Sequence, residues 1–124
     1  MSTRSIRGLA ALGAVVGTGA LAVPALAHAP VVGTFPAKGA SVSSVRTVSV
    51  RFGESVVTGL ISVSRSDGRE LRAQSGRSGL DPRNHARLRA TFPHKLSSGR
   101  YTVKWRARAD DGHSEKGTFT FRVR

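Results

Sequence analysis

The sequence contains no cysteine, and its one methionine is the initiating Met1. The first absence excludes disulfides and thiolate metal sites. The second removes thioether donors from the rest of the chain, so no soft sulfur ligand is available to a metal. Acidic residues are scarce: 7 Asp and Glu stand against 20 Lys and Arg, a formal net charge of +13. Aromatics are few, with one Trp, one Tyr and five Phe. No segment sustains the 3.6-residue apolar period of an amphipathic helix.

The N-terminus does carry a long apolar run. Arg4 and Arg7 precede a stretch from Gly8 to Val23, and Ala25-Leu26-Ala27 supplies small residues at both positions that a signal peptidase reads. We expect residues 1–27 to be a secretory signal peptide. An uncleaved membrane anchor fits less well, because the run is thin in large apolar residues, is interrupted by glycines and lacks a basic stop-transfer flank. A cut after Ala29 would place Pro30 beside the scissile bond, where its ring restricts the backbone, so His28 is the expected first residue. The remaining domain, 28–124, has 97 residues (124 less 27). That is enough for one modest core, and the expected location is outside the cytoplasmic membrane, in the periplasm or cell envelope. Without Arg4 and Arg7 it keeps 18 Lys and Arg against 7 acids.

Four segments alternate with period two. Val48, Val50 and Phe52 oppose Thr47, Ser49 and Arg51; Ala86, Leu88, Ala90 and Phe92 oppose Arg87, Arg89 and Thr91. Tyr101, Val103, Trp105 and Ala107 oppose Thr102, Lys104, Arg106 and Arg108; Phe119, Phe121 and Val123 oppose Thr118, Thr120, Arg122 and Arg124. This pattern belongs to antiparallel strands with one buried face. A fifth strand is expected over Leu60 to Ser64, leading into a tight turn at Asp67-Gly68. Residues 72–84 read as a loop and Leu96 to Arg100 as a turn. The expected fold is all-β, a small immunoglobulin-like β-sandwich or Greek-key barrel. Outward arginines are accounted for by a solvated face that discourages edge pairing, with at most weak contact to an anionic envelope surface. The aromatics fall on inward faces, so no stacking platform for nucleic acid is expected.

Four histidines follow the apolar run: His28, His85, His94 and His113. His85 and His94 sit beside turn residues and read as exposed surface groups. His113 lies in "ADDGHSEKG". If Asp111 to His113 is extended, Asp111 and His113 share a side and Asp110 points away. A carboxylate and an imidazole then converge as hard-to-borderline donors. A turn with a capping Asp and an incidental His explains the same tripeptide. An N-terminal His28 would add an α-amine and an imidazole Nδ1 closing one chelate ring. The resulting N/O set suits Cu(II).

These residues resemble the CopC-type copper resistance proteins. The likeness runs through "HAP", "TFPAKGASV", "VSVRFGESV" and, most specifically, "LSSGRYTVKWRARADDGHSEKGTFTFRV". It implies an exported β-sandwich that binds one Cu(II) through His28, Asp111 and His113, and a membrane partner of the CopD type. Gly53 stands where Ser or Asn is usual before Glu54, Asp110 stands where a small residue is usual, and the Met-rich Cu(I) site of some members has no counterpart. Glu54 reads as a surface or turn residue.

The leading expectation is therefore a monomeric, non-enzymatic protein that sequesters or delivers copper. Two other classes remain. One is a copper-dependent oxidative enzyme built on an N-terminal histidine, disfavoured because 97 residues leave little room for a polysaccharide face and a carboxylate would fill a position that oxygen chemistry needs open. The other is a metal-free basic interaction module.

Overall fold

The computed structural model describes residues 29–124; the expected signal peptide and His28 lie outside the described residues. Among the described residues eight strands form two four-stranded sheets. In chain order they are β1 (Val31–Phe35), β2 (Ser41–Val42), β3 (Thr47–Phe52), β4 (Val56–Arg65), β5 (Ser78–Asp81), β6 (Asn84–Thr91), β7 (Gly99–Ala109) and β8 (Ser114–Val123). One sheet runs β1-β3-β6-β5 and the other β2-β8-β7-β4. All pairings are antiparallel except β2 with β8, which is parallel over Ser41↔Arg122 and Val42↔Val123. Only β5–β6 and β7–β8 are hairpins within a sheet; the other connections cross between sheets, as a sandwich requires.

The alternation places the core as expected. Val48, Val50 and Phe52 meet Leu88, Ala90 and Phe92 on one inner face, and Ile61, Val63, Tyr101, Val103, Ala107, Phe119, Phe121 and Val123 supply the other. Tyr101 and Phe121 stack at 5.3 Å, while Phe52 meets Trp105 edge to face at 5.3 Å. Burying a phenol obliges its hydroxyl to find an acceptor. The Tyr101 hydroxyl donates to the Ser97 carbonyl at 2.5 Å, which anchors the turn that leads into β7.

Three strands depart from the sequence reading. β1 and β2 are edge strands in segments that do not alternate. β5 lies inside the run read as a loop: Gly79 adopts φ +114° and Asp81 is a buried acid, so neither a β-former nor an alternating pattern marks it. The strand expected at Leu60 to Ser64 extends over Val56–Arg65. The turn after it is tight, with Gly68 at φ +85° and its N–H donating to the Arg65 carbonyl at 2.9 Å.

Candidate metal centre

One end of the sandwich gathers the start of β1, the end of β3, the start of β4 and the β7–β8 turn. The register fixes this: Val31 pairs with Phe52, and Val56 pairs with Ala109. The described chain enters there through Ala29, which is buried, and Pro30, whose carbonyl accepts the Gly53 N–H at 2.8 Å. Gly53 permits this approach, because a Cβ at that position would stand 3.2 Å from Pro30 Cγ and 3.3 Å from Val32 Cγ1. The described chain therefore begins at the end of the molecule that carries the β7–β8 turn.

That turn is tighter than the extended tripeptide expected. The Ala109 N–H donates to the His113 carbonyl at 2.8 Å, the Gly112 N–H donates to the Ala109 carbonyl at 3.0 Å, and Gly112 takes φ +89°. Asp111 and His113 nevertheless come together, through an Asx turn rather than through strand periodicity. Asp111 Oδ1 accepts the His113 backbone N–H at 3.0 Å, and Oδ2 lies 2.8 Å from His113 Nδ1. These two hydrogen bonds, the backbone one first, hold the Asp111 carboxyl below the usual carboxylate range. With Nδ1 engaged, the imidazole has Nε2 as its other donor atom, and 72% of the His113 side chain is exposed.

The remaining candidates are separate. Glu54 is exposed, as expected, and lines a cleft with His85, Asp110 and Leu80. The sequence offered no local signal for that meeting, because its polar residues come from the β3–β4 connection, strand β6 and the β7–β8 turn. His94 is exposed in a surface hollow beside Arg65, Lys95 and Tyr101. Among the described residues no three His, Asp or Glu side chains are grouped so that they could hold a metal by themselves. The Asp111–His113 pair is a carboxylate–imidazole contact. It offers one carboxylate oxygen and one imidazole nitrogen on the turn at the end where the described chain enters.

A family model described as the CopC domain matches residues 31–124. Protein YobA of Escherichia coli (strain K12) is 28% identical over 109 residues, covering 86% of this chain and 88% of its own length. Copper resistance protein C of Xanthomonas campestris pv. juglandis is 26% identical over 125 residues, covering 97% and 98%. Among solved structures, CopC from Methylosinus trichosporium OB3b superposes with a TM-score of 0.65 at 29% identity, covering 77% of this chain and 93% of that one. PcoC, a methionine-rich copper resistance protein from Escherichia coli, gives 0.62 at 22% identity, over 79% and 100%.

Proposed function

The chain belongs to the CopC family of copper resistance proteins, and from that premise we propose that it is an exported Cu(II)-binding protein whose single site comprises His28, Asp111 and His113. Removal of residues 1–27 would free the His28 α-amine, so that one residue contributes two nitrogen donors. Asp111 would bring an ionised oxygen and His113 an imidazole nitrogen. The observation that carries this reading is the Asp111–His113 pair, 2.8 Å apart, at the end where Ala29 enters.

Nitrogen and carboxylate donors without sulfur favour Cu(II), which heads the divalent affinity order. Asp111 has two tasks that its two oxygens separate. Oδ1 keeps the turn closed through the His113 N–H, and Oδ2 exchanges its contact with Nδ1 for one with the cation. The bound ion is cargo in this reading, held outside the cytoplasmic membrane and passed to a membrane copper transporter of the CopD type. We read the protein as a monomeric binder rather than an enzyme.

Cu(II) titration followed by electron paramagnetic resonance, on the exported chain with its N-terminus sequenced, tests the site. Asp111→Ala and His113→Ala are each expected to change the spectrum and weaken binding by at least about tenfold, the typical cost of losing one metal ligand or its support. A chain retaining Ala27, whose His28 nitrogen is an amide, should bind as weakly. An unaltered spectrum in both variants, or a mature N-terminus other than His28, would sink the proposal.

A further inference from the structure

The basic residues are divided unequally between the two outer faces. On the β1-β3-β6-β5 sheet, Arg87 and Arg89 are gathered around Asp81, with Arg87 Nε donating to Asp81 Oδ2 at 2.9 Å. On the β2-β8-β7-β4 sheet the outward residues of β7 are Arg100, Thr102, Lys104, Arg106 and Arg108, all exposed except Thr102. Those of β8 include Lys116, Thr118, Thr120 and Arg122, all exposed. The register lays them in rows: Leu60–Arg106–Lys116, Ser62–Lys104–Thr118, Thr58–Arg108–Ser114 and Arg100–Arg122. Strands about 4.8 Å apart, with outward residues about 7 Å apart along each, make this a lattice of cations and hydroxyls.

Among the described residues, none of Arg100, Lys104, Arg106, Arg108, Lys116 and Arg122 has an ion pair or side-chain hydrogen bond. The acid at the margin is Glu70, beside Leu60 and Lys104; Glu115 pairs in register with inward Ala107. Within this polar field stands Leu60, 70% exposed and directly across from Arg106. A large aliphatic side chain on the edge strand, flanked on the β7 side by cations without an ion pair, is an arrangement that rests on an anionic bilayer, with the cations on phosphates and the apolar group below them. The face forms an open hollow at Leu60, Lys104, Arg106 and Lys116, and the partly buried Trp105 beneath it is engaged with Phe52, so the face offers no row of exposed rings for stacking nucleic-acid bases.

We propose that the outer face of the β2-β8-β7-β4 sheet is a docking surface for anionic phospholipid membrane, with Lys104, Arg106 and Lys116 contacting headgroup phosphates and Leu60 entering the interface. The export reading sets only which leaflet is met. The contact uses none of His28, Asp111 or His113, so it stands or falls separately from the copper site.

Sedimentation of the exported, processed chain with vesicles tests the surface. Vesicles of phosphatidylglycerol in phosphatidylcholine are expected to carry the protein down, with release as salt rises from about 0.1 M toward 0.5 M, whereas pure phosphatidylcholine leaves it in solution. The triple variant Lys104→Glu/Arg106→Glu/Lys116→Glu should lose at least about tenfold in partition coefficient, and Leu60→Ser a few-fold with the salt dependence unchanged. The corresponding Gln triple, which removes charge without adding repulsion, should fall between. Arg51→Glu/Arg77→Glu/Arg83→Glu alters net charge equally on other surfaces and should stay within about threefold of the parent. Equal loss in this control set would reduce the effect to net charge and overturn the proposal. So would binding of duplex DNA or polyphosphate without binding of vesicles. Copper loading should leave the partition coefficient unchanged.

Discussion

Gly117 shows how one missing side chain shapes the core. It pairs across the sheet with Trp105, and a Cβ there would lie 2.6 Å from Trp105 Cζ2 and 2.7 Å from Cε2 and Nε1. The indole occupies that space and reaches Phe52 on the opposite sheet, so the glycine sets the position of the chain's only tryptophan. Gly117→Ala should therefore displace the ring and lower stability by about 1–3 kcal/mol, the usual cost of overpacking. The expected result is a lower urea midpoint at unchanged m-value together with shifted tryptophan emission. A normal emission spectrum would show that the ring does not lie over residue 117. Gly59 is tighter still, since its Cβ would meet Leu88 Cδ2 at 2.4 Å and the Arg106 carbonyl at 2.9 Å. Neither constraint is visible in the sequence, where a glycine in a strand segment only weakens the pattern.

Among the elements, β5 is the one most dependent on a single acid. Asp81 is buried, accepts the Arg83 backbone N–H at 2.9 Å and binds the Arg87 guanidinium, with Arg89 Nε at 3.7 Å. The Arg83 N–H chiefly, then Arg87, hold its carboxyl below the ordinary range against the opposing effect of burial. A depressed folded pKa stabilises the fold above the unfolded value of about 3.9, and that stabilisation is lost as pH falls through the folded value. Asp81→Asn should cost about 2 kcal/mol at neutral pH, because it leaves Arg89, whose Nη1 is buried without a partner, facing no anion. The deficit, read from urea midpoints across pH, should shrink below about pH 4; a constant deficit down to pH 2 would contradict the ion-pair origin. Sequence pattern found β3, β6, β7 and β8 because each buries one face and exposes the other. It missed β1 because Val31, Val32 and Phe35 are all exposed on an edge. It missed β5 because what holds that strand is an ion cluster formed with a neighbour, which leaves no periodicity. At the site, the pairing of Asp111 with His113 was legible but its mechanism was not: an Asx turn with Gly112 at φ +89° replaces the expected extended run.

For the whole molecule, a metal joining the N-terminal residue to the β7–β8 turn would tie the chain's entry to a distant hairpin. Ligand that binds only the folded state raises stability by about 2.7 kcal/mol at a hundredfold excess over Kd. Cu(II) should accordingly raise the Tm of the processed chain and leave that of a chain retaining Ala27 nearly unchanged. The increment should fade on acidification, with near-complete copper release by about pH 4 as protons claim the amine and imidazoles. A scan of Tm against pH with and without copper measures this, and an increment that persists at pH 4 would exclude nitrogen ligation. The parallel pairing of β2 with β8 bears on how the chain reaches this state. Ser41 finds its partner in Arg122, near the far end of the sequence, and the Arg124 N–H donates to the Val42 carbonyl at 2.9 Å. Strand pairings this remote in sequence make folding slow, in the millisecond-to-second range for sandwiches of this kind. The second sheet also cannot be completed until the last residues have been synthesised. If the chain is exported unfolded, as the proposed function requires, that late closure would be a built-in delay that keeps it threadable.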